Sequence, residues 1–222
     1  METMTQEQNP AELLPTHRRT VSPERPSAAR DRILETADNL FYAHGLQAVG
    51  VDRIITEAGV TRVTFYRHFG SKDELVSAYL SQRGGRLRTR VAEAREVYAL
   101  DPRGLLTFLA VTLMRDSESA TYRGCEFVNA AAEITSDHHP VQRQGIDQRK
   151  WLVDVAAEAL GALGHPEPHR LARKLMMLRT GASMVLGLDP YEDTRELFFE
   201  TWQAMIDAEL PRLRRRRPPT AQ

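Results

Sequence analysis

Between Thr61 and Lys72 the stretch TRVTFYRHFGSK sets three aromatic rings (Phe65, Tyr66, Phe69) among Arg62, Arg67, His68 and Lys72. Few packed interiors need that mixture, whereas a nucleic-acid duplex can use all of it. A guanidinium can donate two hydrogen bonds to a guanine edge, and a threonine methyl can pack on thymine. Lysine, histidine and a phenol hydroxyl serve better as phosphate anchors, which fix register without carrying sequence information. At helical period Phe65 and Phe69 share one face, toward Ile54, Ile55 and Phe41. Arg62, Val63, Tyr66 and Arg67 fall on the outward side, with Thr61 and Thr64 at its leading edge and Lys72 beside it. The competing reading is an ordinary three-helix bundle whose arginines are simply solvated.

A second set of residues could bind a small molecule. In RGCEFVNAAAE, the polar Cys125, Asn129 and Glu133 interrupt an apolar helical segment, which suits a pocket with a few placed polar contacts. The competing reading, and the one preferred for Cys125 itself, is a small buried thiol. Phe108, Trp151 and Met177 could line an adaptable cavity or be plain core. His138 and His139 lie near Glu133, but adjacent histidines point in different directions and no further cluster completes a metal site. Neither a metal nor another cofactor is expected. The chain has no Gly-rich phosphate loop, nucleophile elbow or paired carboxylates, so an enzyme working in the C-terminal cavity has no motif behind it.

These residues need elements to hold them. With 222 residues, 41% hydrophobic and 27% charged, the chain is long enough for a sizeable core. Formal net charge is zero, and from Ala28 to Gly84 seven Lys/Arg (Arg30, Arg32, Arg53, Arg62, Arg67, Lys72, Arg83) meet seven Asp/Glu (Asp31, Glu35, Asp38, Asp52, Glu57, Asp73, Glu74). Any nucleic-acid binding must therefore come from the local cluster of bases around Thr61–Lys72. Only Lys72, Lys150 and Lys174 are lysines, a skew to arginine that weakens the reading of any single arginine. The lone Cys125 forms no intramolecular disulfide, in keeping with a reducing compartment. The first residues lack the basic start and apolar stretch of a signal peptide, and Leu105–Met114, the most apolar run, is too short to span a bilayer. A cytoplasmic protein without membrane contact is expected.

Periodicity predicts an all-helical chain of about nine helices. The first covers Ala28–His44, a short second Val51–Ala58 and a third Thr61–His68. Ser71 and Glu74 form a capping box for a fourth, which can run past Gly84 and Gly85 toward Tyr98. Later helices start at Asp101-Pro102, near Phe127, at Pro140 and at Pro168, and the last is expected over Glu192–Glu209. Two short helices joined through Gly59 have helix-turn-helix geometry, in which the second helix enters the major groove. The expected organisation is a disordered arm over 1–27, a three-helix DNA-binding domain over 28–74, a larger helical bundle over 75–210 and a basic tail over 211–222. Arg214–Arg217 in that tail reads as solvated.

The wording from AARDRILETADNLFYAHG through EAGVTRVTFYRHFGSKDELVSAYL resembles the N-terminal domain of the TetR family of transcriptional repressors. The resemblance implies a homodimer that binds a palindromic double-stranded DNA operator and is released by a small-molecule effector. It implies that Arg62, Val63 and Arg67 face bases, Thr64 the groove wall, and Tyr66, His68 and Lys72 phosphates. Gly50 departs from the threonine or serine common at its position, so no side-chain phosphate contact is expected there. GCEFVNA looks like a stretch found in a subset of the family, where it borders the inner cavity. The resemblance also implies a dimer interface on the last two helices, with Leu171, Leu175, Leu178, Ala182 and Val185 on one stripe and Phe198 and Trp202 on the other. The competing reading is that both stripes are internal core. A helical interaction protein that no longer reads DNA stays open as an alternative.

Overall fold

The computed structural model of the chain describes residues 27–209 except 120, 135, 137, 138 and 189–192. Ile33, Leu34, Ala37, Leu40 and Phe41 recur at spacings of three and four, and they bury one face of α1 (Ala28–His44). Two short helices follow, α2 (Val51–Ala58) and α3 (Arg62–His68). Between them Gly59 is left-handed (φ 62°, ψ 43°), and its N–H donates to the carbonyls of Ile55 and Thr56. A side chain would be strained in that conformation, so glycine sets the tight turn that aims α3. Thr61 caps α3 rather than opening it, its hydroxyl accepting from the Thr64 N–H at 3.1 Å.

Helix α4 (Lys72–Val97) is unbroken through Gly84 and Gly85. The Ser71 hydroxyl accepts from the Glu74 N–H at 3.1 Å, while the Glu74 carboxylate accepts from the Gly70 N–H at 2.8 Å. This capping box reaches one residue further back than the standard pair. Asp101 caps α5 (Pro102–Asp116), accepting from the Gly104 N–H at 2.9 Å. The larger bundle is completed by α6 (Glu126–Glu133), α7 (Pro140–Ala162), α8 (Pro168–Leu188) and α9 (Thr194–Glu209). Among the described residues there is no strand, and no helix is long and apolar enough to cross a membrane. The 1–26 part of the expected arm, His138, the expected helix start at Glu192 and Arg214–Arg217 lie outside the described residues.

Two apolar clusters hold the chain. One joins Ile33, Phe41, Ile54, Phe65 and Phe69 of the first three helices and their links to Leu75, Val76, Tyr79 and Leu80 of α4. It does not stop at residue 74, because Ala130 of α6 and Val141 of α7 also belong to it. The other joins Val91 and Ala94 of α4 to Leu106, Leu109, Leu160, Leu171, Leu175, Trp202 and Ile206. Thus α4 is common to both.

The second cluster corrects the expected dimer interface. Leu171, Leu175 and Trp202 are 0% exposed, and Phe198 and Ala182 are buried as well. These five side chains are covered inside one chain, in the bundle that α8 and α9 share with α5 and α7, and do not present themselves to a partner. Of the expected residues, Leu178 is half-buried and Val185 is exposed.

Candidate functional site

The short helix α3 divides its side chains by face. Phe65 and Phe69 are buried, with ring centroids 6.2 Å apart, in the same cluster as Ile54 and Phe41. The Arg30 guanidinium lies over the Phe69 ring, 5.0 Å from its centroid. Arg62, Tyr66 and Arg67 are exposed, and Val63 is 80% exposed, so an apolar side chain stands in solvent between the arginines. Lys72, half-buried at the start of α4, is adjacent to this surface in the chain.

Several of these groups already have partners. The Arg62 guanidinium forms an ion pair with Asp52 of α2. Thr61 and Thr64 hydroxyls lie 2.9 Å apart and bond each other. His68 is half-buried, with its Nε2 3.2 Å from the Ser27 hydroxyl at the start of α1. Gly50 offers α2 no side-chain cap.

A cavity of about 930 Å³ lies among α4, α5, α6, α7 and α8, with Tyr42 at the end of α1 on its wall. A second, of about 660 Å³, is separated from it by Tyr42, Tyr122 and Glu126, which line both. Of the residues expected in a pocket, Cys125 lines the larger cavity, and Asn129 and Glu133 line the smaller. Asn129 donates to the Arg123 carbonyl at 2.8 Å, and Glu133 accepts from the Gln47 N–H at 2.7 Å. Burial pushes the Cys125 thiol upward, away from the thiolate that a reactive cysteine needs.

Phe108, Trp151 and Met177 line neither cavity. Phe108 packs against Tyr98 with ring centroids 6.5 Å apart, and the Trp151 ring carries the Arg88 guanidinium at 4.5 Å. Met177 is 62% exposed. Its neighbour Met176, one residue and about 100° earlier on α8, supplies the cavity wall instead. Among the described residues no cluster of His, Cys, Asp and Glu could hold a metal. His139 accepts from the Val141 N–H at the start of α7, and its other ring nitrogen lies 3.5 Å from Asp73.

The sequence reading missed the cavity's polar lining, which includes Arg83, Arg179, Tyr122, Glu126 and Gln148. Burial pushes the Glu126 carboxyl upward, with Arg83 and Arg179 pulling the other way. It also raises the Tyr122 phenol.

The cavity wall is fastened to the end of α1. The Tyr42 hydroxyl donates to the Gly124 carbonyl at 3.1 Å and accepts from the Arg123 N–H at 3.0 Å. Arg123 donates in turn to the Ala43 carbonyl. Gly124 is left-handed (φ 81°), and a Cβ there would come within 3.0 Å of the Ser183 carbonyl oxygen. Deeper in, the buried Asp38 accepts from Arg83 at 2.6 and 3.3 Å and from Arg86 at 3.3 Å. The same Arg83 stacks over the Tyr42 ring at 4.1 Å. One set of contacts therefore touches both the cavity and the helix that supports α3.

Residues 33–79 match the family model described as bacterial regulatory proteins, tetR family. The chain is similar to SCO4454, a TetR-family transcriptional regulator from Streptomyces coelicolor. The two structures superpose with a TM-score of 0.78 at 37% identity, covering 82% of this chain and 96% of that one. An uncharacterised HTH-type transcriptional regulator of Mycobacterium tuberculosis is 27% identical over 178 residues, 78% of this chain and 83% of its own length. The HTH-type transcriptional repressor KstR2 of Mycolicibacterium smegmatis is 29% identical over 144 residues, 63% of this chain and 68% of its own.

Proposed function

The chain belongs to the TetR family of transcriptional regulators, and we propose that it acts in the cytoplasm as a homodimeric repressor whose paired α3 helices read a palindromic operator. The observation that carries the reading is the division of α3. Its two phenylalanines are locked inside while Arg62, Val63, Tyr66 and Arg67 stand exposed together on the opposite side. Arg62, Val63 and Arg67 read base edges, and Tyr66 and Lys72 bind phosphates. Thr61 and Thr64 hold the helix start against the groove wall, and His68 supports the backbone contact from its place beside Ser27. The GCEFVNA stretch favours membership of the subset that carries it, since Cys125 and Asn129 both line a cavity.

The exposed faces of α8 and α9 support the dimer. Met177, Gly181, Val185 and Leu188 follow one another along α8, and Leu197, Thr201, Ala204 and Ala208 along α9, all exposed and uncharged. Among the described residues nothing lies within 4 Å of where a Cβ on Gly181 would stand. A mid-helix glycine costs about 1 kcal/mol against alanine, and a closely approaching second subunit accounts for it. A small molecule in the inner cavity then acts by binding more tightly to the conformation whose two heads do not match half-sites one helical turn apart.

Titrating the protein against the DNA upstream of its own gene, at several salt concentrations, tests the reading. Tight binding to one palindrome is expected. In a Tyr66→Ala, Lys72→Ala double variant, affinity for every sequence should fall, and the salt slope should drop by about 1 because one phosphate contact by a cation is lost. Unchanged operator affinity would overturn the placement of both residues.

Asp52 adds a further expectation. By engaging the Arg62 guanidinium it limits the orientations that side chain can take. Asp52→Ala should therefore raise affinity for unrelated DNA, by removing a negative charge near phosphates, while blurring discrimination at the base that Arg62 reads. A binding-site selection carried out with both proteins would show it. An unchanged sequence preference would mean that Arg62 needs no support.

A further inference from the structure

The larger cavity holds polar groups that the fold itself leaves unused. Gln148 is 5% exposed and lines the cavity, yet its side-chain N–H₂ meets no partner among the described residues. The Tyr122 hydroxyl, on the same wall, is likewise buried and unpartnered. Buried donors of this kind are costly unless something supplies an acceptor. Both are donors, and both belong to residues that line the cavity.

Charge points the same way. Arg83, Arg86, Arg90, Arg115, Arg149 and Arg179 line the cavity, against only Asp116 and Glu126. Asp38 engages Arg83 and Arg86 from behind the wall, and Asp116 engages Arg90. Arg115 and Arg149 are exposed. Arg179 differs from all of these, because it is half-buried and no hydrogen bond or ion pair holds its side chain among the described residues. It lines the same cavity as Tyr122, Cys125 and Glu126, and its charge bears on all three. A partly desolvated guanidinium without a partner is suited to a carboxylate, which it can grip with two parallel hydrogen bonds. Glu126 lines the same cavity, and burial raises its carboxyl. Apolar walls from Leu113, Leu152 and Met176 complete the site.

We propose that the effector is an amphipathic organic anion, a carboxylate, whose head is gripped by Arg179 and hydrogen-bonded by Gln148 and Tyr122 while its apolar body lies along Leu113, Leu152 and Met176. The volume is near the upper end of the roughly 300–1,000 Å³ of small-molecule sites, so the body can be sizeable. The assignment rests on the reading of the C-terminal bundle as the effector-binding region.

Decanoate, 1-decanol and decylamine share one apolar body and differ in the charge of the head, so they separate the possibilities. Thermal shift and operator release are measured with the full chain. Decanoate should stabilise the protein most and decylamine least. Arg179→Met should weaken decanoate binding about 10- to 100-fold, as loss of a charged hydrogen-bonded pair does, and leave decanol binding unchanged. Arg179→Lys should restore part of the loss, and Gln148→Leu should weaken decanoate as well. The proposal is overturned if decylamine or decanol binds as tightly as decanoate, if Arg179→Met has no effect, or if none of the three binds. Decanoate that binds through Arg179 but leaves the operator complex intact would uphold the ligand class and overturn effector release instead.

Discussion

Phe65→Ala is expected to destabilise the protein by about 3–5 kcal/mol and to abolish operator binding, although Phe65 faces away from the DNA. The ring is 0% exposed and sits between Phe69 and the Tyr66 ring, 6.2 and 5.2 Å away. Truncating a buried phenylalanine removes its transfer energy and leaves a cavity that the surroundings fill only in part. Helix α3 is seven residues long, far below the length at which a helix persists alone. It exists because it packs. Without Phe65 the outward residues lose their common platform, so every sequence contact weakens together. Chemical denaturation and a gel-shift titration would check both halves. Lost DNA binding with unchanged stability would place Phe65 in the interface and overturn the division of α3 by face.

Gly181→Glu should have the other large effect, converting the dimer to a monomer and lowering operator affinity by about 10²- to 10⁴-fold. Two linked heads bind with an effective concentration that a single head lacks, and separating them loses that gain without disturbing either protein–DNA contact surface. The substitution adds a charge where α8 presents Met177, Val185 and Leu188 to solvent. Gly181 is exposed, and a Cβ there has nothing within 4 Å among the described residues, so the monomer should keep its fold. Analytical ultracentrifugation would show the change of mass, and circular dichroism the intact helices. A dimer that survives Gly181→Glu would move the interface off this face.

Much of this arrangement can be read from the sequence, and the parts that cannot share a physical cause. Helix limits are legible because their signals are local: Pro102, Pro140 and Pro168 start helices, Ser71 with Glu74 caps α4, and Gly59 bends the chain between α2 and α3. The facing of Phe65 and Phe69 is legible because one short helix has one apolar side. The stripe of Leu171 and Leu175 is not, since a periodic pattern tells which side of a helix avoids water but not whether its own chain or another subunit covers it. Met177 fails for a related reason, as a single step along α8 turns a side chain from the cavity to solvent.

The cavity's polar lining was legible in part. Gln148 falls seven residues after Val141 and four before Leu152, on the buried face of α7, where a lone amide is out of place. Arg83, Arg86 and Arg90 recur at spacings of three and four on α4, but a chain that uses arginine almost wherever a basic residue is needed hides those few that matter. Tyr122 precedes α6 in a connecting segment, and no period reaches it.

The shared helix α4 sets terms for anyone wishing to rewire this regulator. A chimera that grafts its head onto a foreign body at residue 74 would discard Leu75, Val76, Tyr79 and Leu80, and with them one wall of the packing around Phe41 and Phe65. Moving the seam to Tyr98 keeps that wall, yet still leaves open the places that Ala130 and Val141 fill from the body. The head is therefore not a cassette. A transplant must carry compatible residues on α6 and α7 of the recipient, and matching those few positions will govern which bodies accept it.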